Sequence, residues 1–321
     1  MSRLRTLCFI SAAFFLLIRG ISAAPLQICK FKDGKQAAVS LTFDDGTRDH
    51  LTHALPLLKQ YGFKGTFYII INRVRQPGKA PRKPSGYLSW DELKLFLAEG
   101  HEIGNHSMTH RCQLTREKSM DDVRREINDP IPVFREKLGI DVKTFCYPGC
   151  ANTPEIEKIV KEHHLGASRS RYACGGPKFT LEQWKRYMET ILSNGEDAAM
   201  MIHGIVPGGG WSPFPSLELF EECLKDLKQR EAVLWIDTCA HIFAYKLLRD
   251  SSVIEIRSET PRRITAELRS SCEKAPDIPL TLRYNGPERI TVTQNGRPIP
   301  VERKNGTSLF AVFPGEFILQ R

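Results

Sequence analysis

The sequence predicts an α/β fold with a parallel sheet, closed or open, followed by a small antiparallel β domain. Short apolar runs alternate with amphipathic stretches between about residues 38 and 250, which is typical of strand–helix repeats. Polar residues recur where the apolar runs end. After residue 250 apolar and polar residues alternate instead, as they do in half-buried strands. We therefore expect a leader over 1–24, a main domain over 25–250 and a β-rich accessory domain over 251–321.

The leader has the three parts of a secretory signal peptide. Arg3 and Arg5 precede an apolar run of 12 residues, Leu7–Ile18, and small residues follow at Ile21–Ala24. The run is too short to span a bilayer, which takes about 20 residues. These features predict a secreted, periplasmic or cell-envelope protein with no integral membrane span in the mature chain. An uncleaved interfacial anchor is the alternative.

Composition excludes one class of partner and permits disulfides. The net charge is +9, but no stretch combines dense Lys and Arg with interleaved aromatic residues, so nucleic acid is not an expected partner. Nine cysteines are present, one of them (Cys8) in the leader, which leaves an even number in the exported chain. Among the pairings open to them, we predict Cys150 with Cys174. The sequence does not indicate the oligomeric state.

The order of elements follows from periodicity and end signals. Ser89 and Glu92 predict a capping box at the start of one helix. Asn295-Gly296 and Asn305-Gly306 predict hairpin turns in the accessory domain. The apolar runs predict strands at 37–43, 65–71, 100–104, 142–146, 167–169, 198–202 and 233–237. Apolar residues at helical spacing predict helices at 51–60, 89–99, 119–138, 153–164, 216–229 and 241–248.

Polar side chains that could carry chemistry follow most of the predicted strands. In α/β folds with parallel strands, functional sites lie at the carboxyl ends of the strands. We expect these residues to lie together along the edge of the sheet formed by the carboxyl ends of its strands, here called the rim. They are Asp44, Asp45, His106, His110, Tyr147, Arg169, His203 and Asp237.

Two adjacent carboxylates end the first predicted strand of the main domain. Side chains of neighbouring strand residues point to opposite faces, and Gly46 permits an unusual backbone where the chain turns. Asp44 and Asp45 can therefore take different tasks at one site. The alternative is that one of them caps the following helix.

Three histidines complete the candidate site. His106 and His110 are spaced so that both imidazoles can reach one metal ion. Together with a carboxylate they form a set that leaves coordination positions open for water and substrate. His203 ends an apolar strand and is a candidate general acid, the alternative being an ordinary core histidine.

Four motifs, taken in order, resemble those of the polysaccharide deacetylases with a NodB-like domain, carbohydrate esterase family 4. They are Thr42–Gly46, His106–His110, Phe145–Gly149 and Met201–His203, and the resemblance covers about residues 36–250. It implies a distorted (β/α) barrel of about seven strands. It also implies a divalent metal, with Zn²⁺ expected over Co²⁺, Ni²⁺ or Mn²⁺.

The resemblance implies a role for each motif. Asp45, His106 and His110 would hold the metal, and metal-activated water would attack the acetyl carbonyl. Asp44 would act as general base, and His203 would protonate the leaving group.

Other residues of the predicted rim are given supporting roles. The resemblance implies an oxyanion contact from the backbone near Tyr147 and Gly149. Trp211, in a glycine-rich loop after His203, is a candidate for stacking on a sugar ring, with an ordinary packed loop as the alternative.

The chain departs from the family pattern in the third motif, and it has no recognisable counterpart of the motif whose aspartate supports the catalytic histidine. Cys146 stands where the family usually carries an arginine that orients the catalytic aspartate. We hypothesise that Arg169 supplies the missing cation and that Asp237 supports His203.

These residues predict an enzyme that removes N- or O-acetyl groups from a polysaccharide or oligosaccharide. A non-catalytic glycan-binding protein on a decayed barrel is the alternative. A glycosidase fits poorly, because its two acids face each other across a bond at about 5–10 Å, whereas Asp44 and Asp45 are adjacent. A non-haem iron oxygenase shares the ligand types but not this arrangement of motifs.

Overall fold

A computed structural model describes residues 25–76, 86–111, 113–168, 171–275 and 278–321. The predicted signal peptide over 1–24 and the predicted cation at Arg169 therefore lie outside the described residues. No helix in the described ranges is long and apolar enough to cross a bilayer.

The main domain is built on a curled sheet of parallel strands, as predicted. Strand β1 (Leu26–Ile28) precedes it and joins the C-terminal part of the chain. Eight parallel strands in the described residues form the sheet: β2 (Ala37–Phe43), β3 (Gly65–Ile69), β4 (Glu102–Asn105), β5 (Thr144–Cys146), β6 (Gly166–Ser168), β7 (Tyr172–Cys174), β8 (Asp197–Ile202) and β9 (Leu234–Ile236). The order is β6-β5-β4-β3-β2-β8-β7, and β9 pairs with the first residues of β2.

Helices connect the strands and cover the outside of the sheet. They are α1 (Leu55–Tyr61), α2 (Trp90–Ala98), α3 (Met120–Asn128), α4 (Pro130–Leu138), α5 (Pro154–His163), α6 (Leu181–Asn194), α7 (Leu217–Gln229) and α8 (Cys239–Asp250). The capping box of Ser89 and Glu92 is present. The helix predicted over 119–138 is two helices, because Pro130 lacks the N–H that would continue the first.

The two faces of β2 have different surroundings. Val39, Leu41 and Phe43 are fully buried in the main apolar core, which they share with residues of the surrounding helices. The alternate residues Ser40 and Thr42 point into the concave side of the sheet. Asp44, the residue after β2, is the next alternate position after Ser40 and Thr42. The alternation of the strand therefore directs its side chain toward the barrel interior.

The C-terminal part is a pair of antiparallel sheets. Its strands are β10 (Ser252–Thr260), β11 (Arg263–Ser270), β12 (Leu280–Tyr284), β13 (Thr291–Gln294), β14 (Arg297–Ile299), β15 (Val301–Lys304), β16 (Thr307–Val312) and β17 (Gly315–Gln320). One sheet has the order β1-β12-β16-β15 and the other β10-β11-β17-β13-β14. Both predicted hairpin turns form, with positive φ of 53° and 50° at Asn295 and Asn305 and of 73° and 78° at the following glycines.

The β sheets and the barrel share an apolar core. Tyr245 and Leu248 of α8 belong to the same buried cluster as Leu282, Phe310 and Phe317 of the β sheets. The Tyr245 hydroxyl also donates a hydrogen bond to the Cys29 carbonyl (3.0 Å), beside β1. The C-terminal sheets are thus packed on α8 and tied to the start of the described chain.

Candidate active site

A cavity of about 440 Å³ lies at the carboxyl ends of β2, β4, β5 and β8. The structure brings most of the predicted site residues together there. The cavity is lined by Asp44, Asp45, Arg73, His106, His110, Tyr147, Gly149, Cys150, Met201, His203 and Trp211.

Asp45, His106 and His110 form a compact group of ligand type. The turn after β2 gives Asp45 a φ of 75° and Gly46 a φ of 71°, so the chain reverses while the carboxylate stays at the rim. Asp45 Oδ1 lies 3.8 Å from His106 Nε2 and 3.9 Å from His110 Nε2. That oxygen is buried and accepts no hydrogen bond within the described residues. One carboxylate and two imidazoles facing a common point fit a divalent cation such as zinc.

A tight turn presents the two histidines side by side. Ser107 and His110 adopt positive φ of 69° and 49°. The Asn105 side chain accepts a hydrogen bond from Ser107 N, and the Ser107 hydroxyl accepts one from His110 N, both at 3.0 Å. The His106 and His110 ring centroids are consequently 4.6 Å apart.

The tautomer of His106 suits a metal ligand. Its Nδ1 donates to the Cys146 carbonyl at 2.9 Å, which leaves the lone pair on Nε2, toward Asp45. Burial and the neighbouring His110 lower the pKa of His106 to about 3, so the ring is neutral at physiological pH.

A buried network behind this turn was not predicted from the sequence. The Asn105 amide donates to the Ile127 carbonyl (2.8 Å) and approaches His164 Nε2 (3.3 Å). His164 Nδ1 lies 3.1 Å from the Val160 carbonyl. The signal available in the sequence was Asn105, which immediately precedes His106. Its partner His164 is 59 residues away, so the sequence did not indicate the contact.

Asp44 lies deeper than Asp45 and is only 2% exposed. Its Oδ2 accepts a long hydrogen bond from the Cys146 thiol (3.5 Å), and its Oδ1 accepts none within the described residues. Burial, and then the Asp45 charge, raise the pKa of Asp44 to about 8. In the described residues, the contact that the family gives to an arginine is therefore made by a thiol.

His203 faces the same cavity from the end of β8. Its ring packs edge-on against Trp211, with centroids 4.7 Å apart and an interplanar angle of 73°. Burial lowers the pKa of His203 to about 4. Its backbone carbonyl contacts His50 Nε2.

The loop that carries Trp211 is anchored by Asp49, which sequence reasoning missed. Asp49 Oδ2 accepts a hydrogen bond from Ile205 N (2.6 Å), and Asp49 Oδ1 accepts one from the Thr47 hydroxyl (2.6 Å). Gly209 approaches so closely that a Cβ there would lie 2.0 Å from Asp49 Oδ2. The glycine at this position therefore allows the loop to pack against Asp49. Trp211 itself is 65% exposed, at the mouth of the cavity.

Asp237 is not brought into the cavity, so its predicted support of His203 is corrected. Strand β9 pairs with the first residues of β2, and Asp237 N donates to the Val39 carbonyl, well below the rim. Its carboxylate accepts hydrogen bonds from Trp235 Nε1 (3.1 Å) and Thr238 N (2.8 Å), and it contacts His241 Nδ1 (2.6 Å).

Arg73 is a cavity residue that the sequence did not single out. Its Nη1 lies 3.7 Å from Asp45 Oδ1, and its guanidinium stands over the Tyr87 ring at 5.5 Å. Arg73 lies shortly after β3, which stands between β2 and β4 in the sheet. The sequence indicated no site residue at the end of this strand.

The predicted Cys150–Cys174 disulfide is absent. Cys150 is exposed at the cavity, whereas Cys174 is buried in the core on the outer face of the sheet. Six cysteines within the described ranges are free, and Cys174 is one of them: Cys29, Cys146, Cys174, Cys223, Cys239 and Cys272.

Comparison with known proteins agrees with the motifs and the fold. A family model described as polysaccharide deacetylase matches residues 31–167, which include Asp44, Asp45, His106 and His110. Over these residues the chain is therefore similar to the polysaccharide deacetylases. The match ends before His203 and Trp211, so those two residues stand on the geometry of the cavity.

The curated relatives match only part of this chain, or are much longer than it. A peptidoglycan-N-acetylglucosamine deacetylase of Bacillus cereus is 44% identical over 126 residues, which are 39% of this chain and 52% of that protein. A gellan lyase of a Bacillus species is 23% identical over 85% of this chain but only 12% of its own length. The chain thus spans about half or less of these curated relatives.

Solved structures agree on the fold. A candidate polysaccharide deacetylase from Mycobacterium smegmatis superposes with a TM-score of 0.52 at 14% identity, covering 69% of this chain and 94% of that one. At this identity the likeness concerns the fold alone, and it supports the predicted α/β barrel.

Proposed function

We propose that this protein is a metal-dependent hydrolase that removes acetyl groups from a glycan. The observation that carries the proposal is the convergence of Asp45, His106 and His110 on one point, with Asp44 and His203 in the same cavity. The match to the polysaccharide deacetylase family model supports the reaction class, and the cavity holds the groups that the reaction needs.

Asp45, His106 and His110 would hold the metal, and two imidazoles with one carboxylate are a ligand set that suits Zn²⁺. When bound, the cation polarises the acetyl carbonyl and lowers the pKa of water toward about 7. Asp44 then accepts a proton from the attacking water. A nearby cation also favours the ionised form of Asp44, opposing the effect of burial.

His203 would deliver a proton to the leaving amine or hydroxyl. It is neutral in the resting site, because burial holds its pKa at about 4. It must therefore take up the proton during the reaction rather than carry it beforehand. The source of that proton is the attacking water, by way of Asp44.

Other residues would position the substrate. Backbone near Tyr147 and Gly149 lies at the cavity wall, where an N–H could stabilise an oxyanion. The exposed Trp211 ring offers an apolar face to a sugar, and Arg73 offers a cation at the same cavity.

The substrate would be an acetylated polysaccharide or oligosaccharide outside the cytoplasm, as the predicted signal peptide suggests. Nothing in the site distinguishes an N-acetyl from an O-acetyl group. The alternative of a glycan-binding protein without catalysis is less favoured, because the complete ligand set would then have no task.

Acetate release from a panel of N- and O-acetylated glycans tests the proposal. We expect release that a chelator abolishes and added Zn²⁺ restores. Replacement of Asp44 by Asn should lower kcat by about 10²–10⁴-fold with the metal still bound. Asp91→Asn, on the exposed face of α2, is the matched control and should act like wild type. No release from any substrate by the metal-loaded protein would favour the binding protein.

A further inference from the structure

A second group of metal-binding side chains overlaps the proposed catalytic site. One ligand atom each of Asp44, His106 and Cys146 lies within 4.8 Å of the others, and all three residues are buried. Three donor atoms about 2.0–2.3 Å from one ion lie up to about 4.0 Å apart when evenly spaced, and the Cys146 Sγ to Asp44 Oδ2 distance of 3.5 Å is within that limit.

Two further observations indicate that the group is open to a ligand. Asp44 Oδ1 is buried without a hydrogen-bond partner in the described residues, although Asp44 lines the cavity. The Cys146 thiol already contacts the other carboxylate oxygen at 3.5 Å, so the sulfur and the carboxylate face each other.

The two groups compete for one histidine. His106 Nδ1 is occupied by the Cys146 carbonyl, which leaves Nε2 as the nitrogen available to either group. A single ion can use it at a time, held either with Asp45 and His110 or with Asp44 and Cys146.

The chemistry of the donors separates the two groups. Asp45, His106 and His110 offer only nitrogen and oxygen, whereas Cys146 adds a thiolate, which soft ions such as Cd²⁺ prefer. Binding there releases the thiol proton to water. It also converts Asp44 from a free carboxylate into a ligand.

We propose that Asp44, His106 and Cys146 form an inhibitory site for soft divalent metals, in competition with the catalytic ion. The inhibition rests on the proposed function, since it acts by removing Asp44 as base and His106 as ligand. The binding itself does not, because a metal–thiolate bond can be observed without turnover.

Titration of the metal-free protein with Cd²⁺, followed by ultraviolet absorbance, tests the binding. We expect a thiolate-to-metal charge-transfer band that saturates at one equivalent in wild type and in Cys150→Ser, and that is lost in Cys146→Ser. Cys150 is the matched control, because it lines the cavity and is only four residues from Cys146 in the sequence. Circular dichroism and thermal melting confirm that Cys146→Ser is folded.

Acetate release provides the second measurement. Cd²⁺ should inhibit the zinc-loaded wild type, and Cys146→Ser should need at least about 10-fold more Cd²⁺ for the same inhibition. Absence of the band in wild type, or its survival in folded Cys146→Ser, overturns the proposed site. Failure of acetate release in all proteins, with the band present, would instead count against the proposed function alone.

Discussion

At the scale of single residues, the site depends on side chains kept neutral by burial. His106 and His203 have low pKa values because charging them inside the protein is unfavourable, and Asp44 has a high one for the same reason. His164 belongs to this group, although it lies behind the cavity. Burial lowers its pKa to about 4, and its Nε2 faces the Asn105 amide, which is a donor.

Acid should destabilise the protein partly through His164. Its folded pKa of about 4 is below the unfolded value of 6.5, so its contribution to stability is complete above pH 6.5 and is lost as pH falls toward 4. A pKa difference of this size corresponds to on the order of 3 kcal/mol. We expect His164→Gln to lose less free energy of unfolding than wild type between pH 6.5 and 4.

Urea unfolding across this pH range measures the difference. His163→Gln is the control, because His163 is the exposed neighbour and should retain the wild-type slope. Equal slopes for His164→Gln and wild type would show that the ring is not held neutral.

At the scale of elements, short segments are held in place by contacts that reach across the barrel rim. The loop after β8 is an example, since the Asp49 carboxylate binds its backbone and Gly209 packs against that carboxylate. The loop in turn holds Trp211 against His203. Asp49, in the segment that follows β2, therefore fixes the position of Trp211.

Gly209→Ala should displace this loop. Its Cβ would lie 2.0 Å from Asp49 Oδ2 and 2.9 Å from the Val206 carbonyl, and overpacking of this kind costs about 1–3 kcal/mol. We expect a lower Tm and a higher KM for the glycan, since Trp211 moves with the loop.

Gly208→Ala is the comparison variant, because its Cβ meets nothing within 4 Å while its φ of 85° strains any side chain. It should lower Tm without raising KM. A normal KM in Gly209→Ala would show that the loop tolerates the clash without moving Trp211.

At the scale of the whole molecule, the barrel and the C-terminal sheets are one packed unit. Residues of α8 lie in the same apolar cluster as the β sheets, and β1 pairs with β12. The Tyr245 hydroxyl bonds the Cys29 carbonyl and accepts from Thr281 N (3.3 Å), so it joins both parts.

We expect one cooperative unfolding transition for the whole chain. Tyr245→Phe should destabilise it by about 1–3 kcal/mol, because it leaves a buried carbonyl without its donor. Hydrogen exchange read on peptides of β2 and of β12 should report the same loss. Tyr187→Phe, which removes only a contact with Gln183 on α6, should cost less. A loss confined to the C-terminal peptides would indicate two independent units.

The sequence by itself determined the fold class, most of the elements and the members of the proposed metal group. Strand–helix alternation, the capping box and the two Asn-Gly turns depend on residues that are close together in the sequence. Such local features can be predicted without knowing the tertiary contacts. The motifs around Asp44 and His106 are also local, and the rule that strands end at a common rim brought them together correctly. Strand β7 was missed because it has only three residues. Helix α6 was missed although Thr180 caps its start and Gly195 ends it, which are local signals of the same kind.

Only the tertiary structure decided which distant residues meet. Asp237 follows a strand as His203 does, but β9 pairs with the start of β2, so this strand ends far below the rim. The contacts of Asp44 with Cys146, and of Asn105 with His164, join residues 102 and 59 positions apart. Such contacts depend on the register and curl of the sheet, which periodicity along the chain does not encode.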